Sequence, residues 1–102
     1  MFVHIVFWRL TGSAPNGKSK QENALEMKRR FEAMRGVVPG LRRCDLGVDV
    51  SQTEESADVA LYTEFDSHEA YQGYNVHPAH QDIVGFIRQI KAERRVVDFE
   101  RA

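Results

Sequence analysis

At 102 residues, with 42% hydrophobic and 28% charged side chains, the chain has the composition of one soluble globular domain and no room for a second core. Its 14 basic and 15 acidic residues leave a formal charge of −1, which excludes the strongly basic footprint of a general nucleic-acid or anionic-membrane binder. Cys44 is the only cysteine, so no intrachain disulfide can form. The apolar opening is too short to span a membrane and lacks a signal-peptide pattern, and a cytoplasmic location is expected.

Residues 2–8, Phe-Val-His-Ile-Val-Phe-Trp, read as a β-strand rich in branched and aromatic side chains. One face carries Val3, Ile5 and Phe7 and the other Phe2, His4, Val6 and Trp8, so both faces require cover. A Gly/Pro/Asn loop over 11–18 leads to a helix with Ser19 as N-cap and Glu22 at capping-box spacing. Ala24, Met27, Phe31 and Met34 form its apolar stripe, and the basic run Lys28, Arg29, Arg30 and Arg35 reads as a solvated face near the negative end of the helix dipole. Gly36 closes the helix and Pro39-Gly40 makes a turn.

A second strand is expected over 41–50, with Leu41, Leu46, Val48 and Val50 as its apolar positions, and a third over 57–65. Asp66 and Glu69 suggest another capping box, opening a short helix over about 67–73. A longer helix begins at Pro78 and carries Ile83, Phe86, Ile87 and Ile90. Val96, Val97 and Phe99 suggest a last short strand.

The chemistry concentrates between these last two helices, in Tyr74-Asn75-Val76-His77-Pro78-Ala79-His80. Pro78 disfavours the α conformation at His77 and suits the first position of a new helix, so His77 marks the break and His80 lies in the next first turn. Imidazole transfers protons or binds metals near neutral pH. His80 reads either as a general acid or base facing a cavity, or as a residue tying the helix break. Tyr74 reads either as a polar group in the same cavity or as a packing residue with a surface partner. His4, on an apolar strand face, needs a partner if buried, for which His80 or a tyrosine is expected. His77 and Pro78 read as the structural part of the motif. Trp8, Val6, Phe65 and Phe86 are expected as cavity wall, and Cys44 as a small buried apolar group. A zinc site on His77 and His80 would want further ligands, and the motif offers no acidic residue, so no metal is expected. No phosphate-binding glycine loop is present and no cofactor is expected.

The order strand, helix, strand, strand, helix, strand is that of a ferredoxin-like α+β fold: βαββαβ with two helices on one face of a four-stranded antiparallel sheet. Residues such as Phe2, Val6 and Trp8 left in water would form a large apolar patch. A homodimer through the sheet faces is therefore expected.

With His4 in the opening strand, Val38-Pro39-Gly40-Leu41 before the second strand and His77-Pro78-Ala79-His80 after Tyr74, the chain resembles the stress-responsive A/B barrel (Dabb) family of dimeric α/β barrels over nearly its whole length. That resemblance implies a cavity in each subunit. In a plant polyketide cyclase of this kind, the histidine matching His80 is the base of an intramolecular aldol condensation. There the tyrosine matching Tyr74 positions or polarises the substrate, and the histidine matching His4 lines the cleft. Carried over, this implies a cofactor-independent cyclase or lyase acting on an apolar carbonyl or aromatic, polyketide-like substrate. The alternatives are a non-catalytic ligand-binding or stress-response dimer, and a cofactor-independent monooxygenase whose substrate itself activates oxygen.

Overall fold

The structure, a computed structural model, describes residues 1–102. Its elements in chain order are β1 (Phe2–Leu10), α1 (Lys20–Glu32), β2 (Leu41–Val48), β3 (Val59–Phe65), α2 (His68–Val76), α3 (Pro78–Ile90) and β4 (Lys91–Glu100). The strands form one antiparallel sheet in the order β2-β3-β1-β4, with the three helices on one face, which is the ferredoxin-like arrangement.

The first strand's two faces part company as its alternation requires. Phe2, His4, Val6 and Trp8 lie on the helix side, opposite Phe65, Thr63, Leu61 and Val59 of β3. The bare side is therefore built on Val3, Ile5 and Phe7, and not on Phe2, Val6 and Trp8 as the sequence suggested. The helix-side set is the one that meets aromatic rings from above: Phe2 stacks on Tyr71 of α2 at 4.8 Å, and Trp8 lies 5.7 Å from Phe31 of α1.

Helix α1 opens on the expected capping box, in which Glu22 N–H donates to Ser19 Oγ and Ser19 N–H donates to Glu22 Oε1. It buries Ala24, Met27 and Phe31 over β2, while Lys28, Arg29 and Arg30 pair outward with Glu26 and Glu32, and Arg35, just past the helix, pairs with Asp45. Strand β2 ends at Val48, and Val50 is 92% exposed in the loop beyond it. Cys44 takes an inward, buried position, as the sequence suggested.

Helix α2 is capped by Ser67, whose Oγ accepts from Ala70 N–H; Asp66 instead pairs with Arg42 and no second capping box forms. The helix also runs through Gly73 to Val76, so Tyr74 and Asn75 belong to its last turn. Gly40 lets this helix sit close to the sheet. Its φ of 80° lies in the left-handed region, and a Cβ there would meet Ala70 Cβ at 2.6 Å.

His77 is at once the C-cap of α2 and the N-cap of α3, with an extended backbone (φ −68°, ψ 137°). Pro78 begins α3, and His77 Nδ1 accepts from Ala79 N–H. Helix α3 passes directly into β4 at Lys91 with no intervening loop. Strand β4 is much longer than Val96, Val97 and Phe99 alone imply, because its remaining positions are mostly charged and edge-exposed. No helix of the chain is long and apolar enough to cross a membrane.

Candidate active site

Between the sheet and the α2–α3 junction lies a cavity of about 250 Å³. Its floor is His4, Val6 and Trp8 of β1 with Leu61 of β3, its roof Tyr74, Asn75 and His80, and its mouth Arg88, Lys91 and Arg94. Phe31, Val84 and Ile87 complete the apolar wall. Phe65 and Phe86, expected in that wall, lie outside it. Phe65 is fully buried against Tyr74 and Tyr71, and Phe86 sits on the flank of α3 under the Arg30 guanidinium, 4.1 Å from its ring centroid.

Tyr74, in the last turn of α2, is fully buried, and the ring of His80, one turn past the helix break, lies 4.2 Å from its own. His4 approaches the same tyrosine from the sheet at 6.4 Å. The three residues are thus gathered by two unrelated devices: the proline-set break that turns α3 back over α2, and the strand that carries His4 beneath both.

The histidines' protons follow from their partners. His80 Nδ1 lies 3.2 Å from the Asn75 carbonyl oxygen, which can only accept, so Nδ1 donates. In the neutral ring Nε2 then carries the lone pair, and it has no protein partner. His4 Nδ1 donates to Asp98 Oδ1 at 2.5 Å, across the β1–β4 register that sets these residues opposite one another. The partner of His4 is therefore this carboxylate and neither His80 nor a tyrosine, although Tyr71 packs on the ring at 4.7 Å.

Burial lowers the pKa of His4, against the opposing hydrogen bond and charge of Asp98, with Arg94 adding a further lowering. Burial likewise lowers that of His80, opposed by the Asn75 carbonyl and reinforced by the charges of His4 and Arg94. Both shifts favour the neutral, proton-accepting imidazole at neutral pH. Burial raises the pKa of Tyr74 strongly, so its hydroxyl stays protonated and serves as a donor.

Two buried polar atoms of the wall have no partner in the chain: Tyr74 Oη and Trp8 Nε1. Buried polar groups are nearly always paired, and an unpaired one costs about 1–3 kcal/mol. Both residues line the cavity, while neither atom itself has accessible surface on it.

His77 and His68 stand apart. The His77 ring is occupied by its cap, and His68 is exposed and packed on Phe2 at 4.9 Å. No group of three or more His, Cys, Asp or Glu side chains is arranged to hold a metal ion. The Cys44 thiol donates to the Phe31 carbonyl, and burial pushes its pKa up to about 12, far from a reactive thiolate.

Sequence reading missed Asp98, Asn75 and the three cations at the mouth. Asn75 was within the motif but contributes through its backbone. Arg88 lies in the last turn of α3, and the others lie in a charged C-terminal stretch whose only inward signal is alternation about Val96.

A ferredoxin-like sheet with a cavity under its helices, walled by apolar side chains and furnished with two imidazoles and a phenol, defines a small α+β protein. Residues 2–101 match the Stress responsive A/B Barrel Domain, Dabb, and the chain belongs to that family. No curated protein matches the chain. Among solved structures, it is similar to a dimeric protein of unknown function and ferredoxin-like fold from Bacteroides fragilis. They share 27% identity and a TM-score of 0.84, over 97% of this chain and 94% of that one. It shares the fold of the hydroxynitrile lyase from Passiflora edulis at 14% identity and a TM-score of 0.77, over 96% and 90% of the two chains. An antibiotic biosynthesis monooxygenase is similar at 16% identity and a TM-score of 0.72, over 100% and 99%.

Proposed function

We propose that the cavity binds a small carbonyl-bearing apolar or aromatic molecule and that His80 acts on it as a general base, in a lyase- or cyclase-type reaction. The observation that carries this reading is the orientation of His80. Its Nδ1 proton is committed to the Asn75 carbonyl, which leaves Nε2 free to accept a proton in a residue of the cavity wall. Removal of a proton next to a carbonyl develops negative charge on the carbonyl oxygen. Tyr74 and Trp8 line the same cavity and carry the unpaired donors Oη and Nε1, which a small shift of either ring would bring to that oxygen. His4, held by Asp98, supports the site from beneath. Similar folds include both a hydroxynitrile lyase and a monooxygenase, so the fold does not choose the chemistry and the side chains must.

The test is a turnover screen of aromatic and polyketide-like carbonyl compounds and cyanohydrins, with His80→Ala beside the parent. A general base contributes about 10²–10⁴-fold, so a reaction found in the screen should slow by that factor in the variant. Unchanged turnover would sink the assignment.

A second reading rests on the same hydrogen bond. His80 Nδ1 and Gln81 Nε2 both donate to the Asn75 carbonyl, tying the start of α3 to the end of α2. In a non-catalytic ligand-binding protein that tie would be the whole role of His80. His80→Ala would then lower Tm and leave ligand affinity untouched.

The assembly belongs to this proposal. The bare sheet face carries Phe7, Val97 and Phe99, which are 41%, 52% and 43% exposed, beside Val3 and Ile5. A homodimer with these faces together removes that patch from water, and the similar Bacteroides fragilis protein is dimeric. Light scattering should give twice the chain mass, and Val97→Lys should give the single-chain mass.

A further inference from the structure

We propose that the ligand of this cavity is an anion: a small apolar or aromatic carboxylate whose acid group lies among Arg88, Lys91 and Arg94 while its body occupies the space below. The inference rests on the cavity being a ligand site, as argued above, and adds the ligand's charge.

The first observation is a local asymmetry. Acids outnumber bases in the chain, yet the cavity's 13 lining residues include three Lys and Arg and no Asp or Glu. The second is that these cations are unclaimed. Eight of the chain's 14 Lys and Arg form ion pairs, whereas Arg88, Lys91 and Arg94 form none. They converge because α3 runs straight into β4: Arg88 is in the last helical turn, Lys91 is the C-cap, and Arg94 lies opposite Trp8 in the register.

A plainer account covers part of this set. Arg88 and Lys91 stand at a helix C-terminus, where positive charge is favourable without any ligand. Arg94 has no such explanation. It belongs to the edge strand β4, on the same face of the sheet as Trp8, its register partner. Its charge also bears on His4, Tyr74 and His80 together, which places it electrostatically over the whole site. A guanidinium presents a planar fork of donors that matches a carboxylate. The wall away from these cations supplies the complementary apolar end, in Val6, Trp8, Leu61 and Ile87. The volume of about 250 Å³ lies just under the roughly 300–1,000 Å³ of pockets that hold drug-sized ligands, which limits the molecule to about one ring or a short chain.

The chain's single tryptophan is Trp8, in the cavity wall, so its fluorescence reports occupancy directly. The probes are matched acids and amides of equal shape: benzoate and benzamide, phenylacetate and phenylacetamide, hexanoate and hexanamide. At low salt at least one acid should bind about tenfold or more tightly than its amide, as a charge-assisted hydrogen bond provides, and added sodium chloride should narrow the gap. Arg94→Gln, at an exposed and unpaired position, should close most of the gap and leave the amide's affinity unchanged. Equal binding of every acid and its amide overturns the inference and leaves the cavity reading standing, as does a gap that survives Arg94→Gln unaltered. A fluorescence signal that no probe moves overturns both.

Discussion

One layer of side chains lies between the helices and the sheet, and its two ends are built differently. Beneath α1 it is filled: Met27, Phe31, Cys44 and Leu46 are at most 1% exposed, and the polar groups there, the Cys44 thiol and the Asn23 amide, have partners. Between β1 and β4, under the α2–α3 junction, the layer is left open, with two imidazoles and a phenol on the walls and two polar atoms unpaired. The cause is geometric. The helices cover β2, β3 and β1, and the inward positions of the edge strand β4, Arg94, Val96 and Asp98, receive no helix. The filled end holds the fold together, and the open end tolerates unsatisfied groups because stability is supplied elsewhere.

Truncation at the filled end should have the largest effect on stability. Leu46→Ala removes a buried side chain from beneath α1 and should cost about 2–5 kcal/mol. A scanning calorimeter should register this as a Tm lowered by roughly 10 °C or more. If Leu46→Ala instead spared Tm and altered Trp8 quenching by ligands, the division between the two ends would be wrong.

Acid should act on the open end alone, by a smaller amount. His4 and His80 are both less basic folded than unfolded, so below about pH 6.5 the unfolded chain binds more protons. Their contribution to stability is fully present above that pH and is lost as pH falls through the folded-state values. Tm should therefore decline between about pH 6.5 and 5, before ordinary carboxylates titrate, and His80→Gln should flatten part of that decline. The same protonation silences the proposed base, so turnover should fall on the acid side. A Tm independent of pH across this window would mean that neither ring is desolvated.

These contrasts also explain how much was readable in the residues. Elements with a clean period were legible: the alternation of 2–8, the stripe of Ala24, Met27 and Phe31, and the proline that sets the break at His77. Position across elements was less so. The choice of which β1 face meets the helices depends on partners more than fifty residues away. Phe86 has the same helical spacing as Ile83 and Ile87, yet it points to Arg30 on the neighbouring helix. The charged run from Lys91 to Arg95 looks solvated because charge is usually outside, and only the register with β1 carries Arg94 and Asp98 to the site. Tyr74, His80 and His4 were reached through motif and resemblance; spacing alone left each of them ambiguous.

A subtler separation of the two ends comes from Tyr74→Phe. The buried hydroxyl has no partner, so its loss should raise stability, by up to about 1–3 kcal/mol, since an unsatisfied polar group is removed. Ligand affinity or turnover should nevertheless fall. A clear loss of stability would show that Oη is bonded in solution, and its place as a free donor in the cavity would be forfeited.

The smallest expected change concerns Asp98, and it separates positioning from packing. Its carboxylate holds the His4 Nδ1 proton and favours the charged ring, against the lowering imposed by burial. Asp98→Asn keeps the shape and removes the charge. The His4 pKa should then fall further below its ordinary value, by an amount read from the ring protons in an NMR titration. The pKa of His80 should respond only weakly, because at neutral pH His4 is already uncharged and exerts little field. A residue that merely packs at the sheet edge would leave the His4 titration where it was. Asp98 is partly exposed on an edge strand, so Tm should scarcely move in either case. If the variant lowers the His4 pKa and also slows turnover while the His80 titration is unchanged, the ring of His4 must be held in orientation for the reaction. The dyad beneath the cavity would then belong to the site and not to the scaffold alone.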